Sequence, residues 1–158
     1  MRKATVGAVG LIMLVAVAGF SAYAVAAPKG HARRAFSATF VGAEISSNGG
    51  SSEEVLKVVS RLDGTCAAIA ENSLAGTSFP VHGTETTTIY CADGVWETKL
   101  NFVLNAPDAS GILTYTGSGK CVGGTGVHKQ EKCTYTFTGM FNEKTKVDKA
   151  KLTGTDKR

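Results

Sequence analysis

Three histidines, His31, His82 and His128, are the side chains in this sequence best suited to carry protons near neutral pH. Glu85, Asp93, Glu97 and Asp108 are carboxylates that could join them as acid or base. Spacing gathers none of these into a set. His31 falls in a short basic stretch, His82 sits beside Gly83 in a segment that reads as loop, and His128 precedes Lys129 in a polar segment between Cys121 and Cys133. A lone loop histidine is ordinarily solvated. No G-x-S-x-G elbow offers a serine nucleophile. The run Gly117-Ser118-Gly119-Lys120 invites a phosphate-loop reading, but that motif needs glycine at 114 and Ser or Thr at 121, where Thr114 and Cys121 stand. The dinucleotide fingerprint fails as well, because Val122 occupies its third glycine position. These glycines are read as turns and as sites of close strand packing. No catalytic residue, metal ligand set or cofactor is assigned, and the reading leans away from an enzyme.

The cysteines carry a different chemistry. Cys66, Cys91, Cys121 and Cys133 are even in number, and none shows the C-x2-4-C spacing of structural zinc. In an exported chain they read as two disulfides. Four cysteines allow three pairings; Cys66–Cys91 with Cys121–Cys133 is favoured because each then closes a short loop between neighbouring segments.

Export is inferred from the N-terminus. Arg2 and Lys3 precede an uncharged run from Val6 to Phe20, and Ala24 and Ala26 form an A-x-A cleavage signature. Residues 1–26 are expected to be a cleaved signal peptide, which places the protein in the periplasm or outside the cell and leaves no stable membrane span. An uncleaved anchor is the competing reading, since the apolar stretch is long enough to cross a bilayer. Removing the leader takes two of the 17 Lys+Arg and none of the 13 Asp+Glu, so the net charge falls from +4 to +2. That is too weak to argue nucleic-acid binding. Residues 27–34, with Lys29, His31, Arg33 and Arg34, are expected to be a disordered basic lead-in, and 35–155 a single domain.

The elements that must position any site read as β-strands. Phe36, Ala38 and Phe40 alternate with Ser37, Thr39 and Val41 in a first strand to about Ile45, and Ser46 to Ser52 is expected to be a mobile loop. Glu53 to Leu62 mixes a helical spacing of valines with β-branched content that favours a strand. Thr65 to Glu71 returns, Asn72 to Gly83 is read mostly as loop, and Thr84 to Cys91 is β-prone. The clearest strand puts Trp96, Thr98, Leu100, Phe102 and Leu104 on one face and Glu97, Lys99 and Asn101 on the other. Ile112 to Thr116, Lys132 to Phe141 and Lys146 to Thr153 complete the set, with a glycine-dense stretch at 117–126. About eight short strands predict an all-β fold, an antiparallel barrel, with a β-sandwich as the alternative. A barrel of that size is just wide enough for side chains or one small ligand. Trp96, Tyr115, Tyr135 and Phe137 are therefore the candidate ligand-lining residues, core filling being their other reading.

Three stretches carry a resemblance: Leu113-Thr114-Tyr115-Thr116-Gly117-Ser118-Gly119-Lys120, Gly123-Gly124-Thr125-Gly126, and Thr136-Phe137-Thr138-Gly139. Over about a third of the chain they are similar to secreted bacterial domains with G-G-T-G turns between strands, of the allene-oxide-cyclase-like and dirigent-like calycin-type barrels. The pattern departs at Val127-His128-Lys129 and in the bracketing Cys121 and Cys133. The resemblance implies a barrel and carries over no catalytic residue. Three functions are weighed: a non-catalytic barrel binding a small apolar or amphipathic ligand or a surface partner; a barrel-type cyclase or isomerase; and an envelope interaction protein using the basic C-terminal end. The first is preferred. Ligand identity and oligomeric state are left open.

Overall fold

The computed structural model describes residues 33–157. The expected signal peptide and lead-in residues 27–32 lie outside that range. Eight strands follow one another: β1 (Arg34–Asn48), β2 (Ser51–Ser60), β3 (Gly64–Ala75), β4 (Val81–Cys91), β5 (Gly94–Leu104), β6 (Ile112–Gly124), β7 (Lys132–Asn142) and β8 (Val147–Lys157). Each pairs antiparallel with the next, and β8 returns to β1, with Arg34 opposite Asp156 at one end and Ala43 opposite Val147 at the other. The result is a closed up-and-down barrel, not the alternative sandwich. Closure leaves no row of unpaired backbone groups at a sheet edge. Arg34, expected in the lead-in, already belongs to β1, where its guanidinium reaches the buried carboxylate of Asp156 at 3.0 Å.

Period-2 alternation decides what enters the interior. On β5, Trp96, Thr98, Leu100 and Phe102 are buried, while Glu97, Lys99 and Asn101 are exposed. On β7, Cys133, Tyr135 and Phe137 are buried and Thr134, Thr136 and Thr138 face out. The ambiguous segment is a strand: Glu54, Leu56, Val58 and Ser60 point inward, and the valines that suggested a helix, Val55 and Val59, are exposed on the outer face.

Two expected loops are absent. Ser46 to Ser52 is not a long mobile loop; Gly49 and Gly50, both at positive φ (57° and 106°), make a two-residue turn that lets β1 and β2 pair through Asn48 and Ser51. Most of Asn72 to Gly83 is strand, and only residues 76–80 connect β3 to β4. The glycine-dense stretch is likewise strand, since β6 runs to Gly124. Its inward glycines stand opposite rings in the ladder. Gly117 faces Phe137, Gly119 faces Tyr135, and Gly139 on β7 faces Tyr115. Gly83 on β4 faces Phe102 in the same way. Each ring lies over the space a Cβ would fill, so the glycines allow large aromatics into a narrow barrel.

The two ends differ. Both disulfides, Cys66–Cys91 and Cys121–Cys133, lie at the end where β1 begins and β8 ends. Each joins residues directly opposite on adjacent strands, with Cα atoms 4.6 and 4.9 Å apart, in the favoured pairing. Loops of this length are worth roughly 3 kcal/mol each in the chain-entropy account. Two disulfides suit an oxidising, extracellular-type environment. No helix among the described residues is long and apolar enough to cross a membrane.

A branched side chain at Gly117 would put its Cβ 2.2 Å from the carbonyl oxygen of Asn101 and 2.5 Å from Cζ of Phe137. Gly117→Val is therefore expected to cost at least about 2 kcal/mol of stability, read from urea denaturation, the scale of core overpacking. Wild-type stability in this variant would show that β6 does not pack as described.

Candidate functional site

The barrel interior divides into a filled floor and a hollow mouth. At the floor, Phe36 meets the rings of Trp96 and Tyr135 edge-on, with centroids 6.2 and 6.4 Å apart. Val58, Cys66, Ala68, Ile89, Cys133 and Leu152 fill the rest. The loop between β6 and β7 closes this end. Thr125 and Val127 donate their backbone N–H groups to the carbonyls of Val95 and Asp93, which seats the short 3-10 turn Gly126–His128 on the β4–β5 hairpin. Gly94, Gly124 and Gly126 permit that contact, because a Cβ at any of them would lie 2.2–2.3 Å from a facing backbone oxygen.

His128 is the keystone of this plug and is fully buried, contrary to the expectation of a solvated loop histidine. Its Nε2 accepts the indole N–H of Trp96 at 2.7 Å, and its Nδ1 faces the carboxylate of Glu131. That pattern assigns the tautomer: Nδ1–H donates to Glu131 and Nε2 is the acceptor. Asp93 stands 3.3 Å from Nε2 at the edge of the group. Cys91, Asp93 and His128 bring three donor atoms within 4.8 Å of one another. They do not form a metal site, because Cys91 is in a disulfide and the lone pair of His128 is already engaged by Trp96. His82 is exposed on the outer face of β4, not in a loop.

The opposite end holds a cavity of about 200 Å³. Phe102 and Leu104 of β5, Tyr115 of β6, Phe137 and Phe141 of β7, and Leu74 of β3 form its walls. Four carboxylates enter it from four strands: Glu44 from β1, Glu54 from β2, Glu85 from β4 and Asp148 from β8. Asp148 accepts the Tyr115 hydroxyl at 2.7 and 2.9 Å, Glu85 accepts the hydroxyl of Thr87, and Glu44 pairs with Lys146 at 3.1 Å on the rim. Glu54, only 8 % exposed, accepts no hydrogen bond among the described residues. It also stands directly opposite Glu44 across the β1–β2 ladder, where like charges repel.

Burial is the main cause that raises all three inner carboxyls. Glu54 goes from 4.5 to about 8, reinforced by Asp148, Glu85 and Glu44. Glu85 goes to about 7, against the opposing bond from Thr87. Asp148 goes to about 6, against the bonds from Tyr115 and the Lys149 backbone. Burial, then the neighbouring Asp148, pushes the Tyr115 hydroxyl far above its ordinary value, so it stays a donor. The mouth therefore presents a hydroxyl that stays protonated and carboxyls whose charge is set by pH within the neutral range.

The structure separates the four aromatic candidates. Tyr115 and Phe137 line the cavity; Trp96 and Tyr135 belong to the packed floor, where Trp96 is tied to His128. Of the carboxylates singled out from the sequence, Glu85 alone lies in the mouth cavity. Glu54, Asp148 and Glu44 were missed. Their signal was phase: Glu54 falls in step with Leu56 and Val58, and Asp148 with Leu152, at positions that face inward. A wider depression of about 830 Å³ runs along the outer wall of β4–β8, lined mainly by exposed threonines and lysines, with Glu85, Leu100 and Tyr135 also in its lining.

Two expectations follow. Unfolded carboxyls ionise near 4.5 and 3.8, whereas the native ones hold their protons to higher pH, so across that window the native state binds more protons. Thermal stability should thus fall as pH rises from the unfolded values near 3.8 and 4.5 up through the native values of about 6 and about 8, and level off above them. Glu54→Gln should raise Tm by about 5 °C above the upper end of that window and leave it unchanged at acid pH, as seen by calorimetry at several pH values. At the floor, His128→Ala leaves the indole N–H of Trp96 without its acceptor and opens a cavity, a loss of about 2–4 kcal/mol with red-shifted tryptophan emission. Unchanged emission would contradict the plug geometry.

In comparison with known proteins, no family model, no curated protein and no solved structure matches the chain.

Proposed function

We propose that this protein is an exported, non-catalytic β-barrel that binds one small amphipathic molecule in the mouth of the barrel. The observation that carries the reading is the cavity of about 200 Å³, walled by Phe102, Leu104, Tyr115, Phe137 and Phe141, with a small set of polar groups converging at its base. Ligand sites have this composition: apolar walls supply burial, and a few placed polar groups supply orientation. The volume equals that of about seven liquid waters, which suits the bulk of a single substituted ring.

Other features support the same assignment. The leader-like sequence at 1–26 and the two disulfides agree with an exported protein. An up-and-down barrel plugged at one end and hollow at the other agrees with a calycin-type likeness. The buried histidine does not favour an enzyme, because His128 is sealed in the floor away from the cavity.

Native mass spectrometry of the protein purified from its producing cells tests the reading. One small molecule per chain is expected to be retained. Leu104→Trp, which fills the cavity from its wall, is expected to abolish that retention. An empty wild-type protein that also takes up no small aromatic probe would overturn it.

A further inference from the structure

The mouth cavity is short of hydrogen-bond donors. Glu54 is nine-tenths buried, lines the cavity and accepts no hydrogen bond among the described residues. Glu85 and Asp148 accept one hydroxyl each, from Thr87 and Tyr115. Among the described residues, the one cation paired with this group is Lys146, half exposed on the rim and engaged with Glu44. A buried carboxylate with no partner is costly, and removing it from water is worth enduring only when a partner arrives. A hydrocarbon would leave the deficit as it is, and an anion would worsen it.

Building on the ligand-binding reading, we infer that the polar end of the bound molecule is a protonated organic amine seated against Glu54, Glu85 and Asp148, with its apolar body against the aromatic wall. An ammonium supplies up to three donors to carboxylates that have none to spare. Phe102, Tyr115 and Phe137 also line the cavity, and a ring face turned to the cation adds cation–π attraction. A bare metal ion fits less well. The one trio of side-chain donors within 4.8 Å of one another among the described residues is Cys91, Asp93 and His128 at the floor, so the mouth carboxylates frame a volume wider than one ion's coordination sphere.

The charged and titratable groups facing Glu54 are Glu44 from β1, Glu85 from β4, Tyr115 from β6 and Asp148 from β8; Lys146 in the β7–β8 turn pairs with Glu44 on the rim, and β3, β5 and β7 present Asn72, Phe102, Leu104, Phe137 and Phe141 instead. An alkyl ammonium keeps its charge while these carboxyls ionise, so amine affinity rises with pH over the range in which Glu54 and Glu85 lose their protons.

Calorimetric titration of the mature protein with three molecules of one shape decides the matter: phenethylamine, phenethyl alcohol and hydrocinnamate, at about pH 6 and about pH 9, bracketing the carboxyl titration. The amine is expected to bind at least about tenfold tighter than the alcohol at the higher pH, with the preference shrinking at the lower one. Hydrocinnamate should be the weakest. Glu54→Gln should bring the amine-to-alcohol ratio close to unity, and Glu85→Gln should lower it as a second, independent variant. Glu97→Gln, on the outer face of β5, should leave it alone. Equal affinity for amine and alcohol, or preference for the acid, overturns the amine inference while leaving the binding reading in place. Failure of all three probes together with an empty native protein overturns both.

Discussion

Everything inside this molecule depends on β8 pairing with β1. That ladder converts a meander into a tube, and the tube removes its interior from water. An open sheet of the same strands would leave Glu54 and Asp148 on a wet face, where their carboxyls would behave ordinarily. Closure also fixes how much can be packed inside. Glycines at 83, 117, 119 and 139 make room for facing rings, and the rings then fill the floor and wall the mouth. One backbone constraint thus produces both the dense end and the hollow end.

The division of labour between the ends follows from which loops are available to close them. At the floor, the β6–β7 connection is long enough to fold a 3-10 turn back over the opening, and Cys121–Cys133 clamps its base. His128 enters the core with it because both ring nitrogens are satisfied, by Trp96 and Glu131. At the mouth, the β1–β2 connection is only a two-residue turn, and the β5–β6 connection, residues 105–111, is as long as the floor loop but bonds back to Thr114, Ile112 and Asp108 and does not line the cavity. The cavity persists there, lined by carboxyls that the protein itself only partly satisfies.

Much of the fold was legible in the residues. The alternation from Trp96 to Leu104, and from Cys133 to Phe141, states strand and inward face together. The disulfides followed from loop closure. What was not legible has physical causes. Gly117 to Gly124 reads as turn in isolation, and becomes strand only because rings on β7 cover it. His128 reads as exposed, since nothing local announces that its loop docks on the β4–β5 hairpin. Glu44, Glu54, Glu85 and Asp148 lie on four strands far apart in sequence, and barrel closure alone brings them together. The inward phase of Glu54 and Asp148 was visible, but a charge at such a position is equally what the end of a solvated strand would carry.

Both covalent cross-links sit at the same end of the tube. The floor is stapled, whereas the mouth is held by hydrogen-bond ladders and turns alone. The molecule is therefore mechanically graded along its axis, stiff at the base and compliant at the rim. Opening the rim to admit or release a guest stretches no covalent bond and leaves the Trp96–His128 plug in place. Movement at the rim is thereby separated from the cross-linked base, so one end can open while the other keeps its packing.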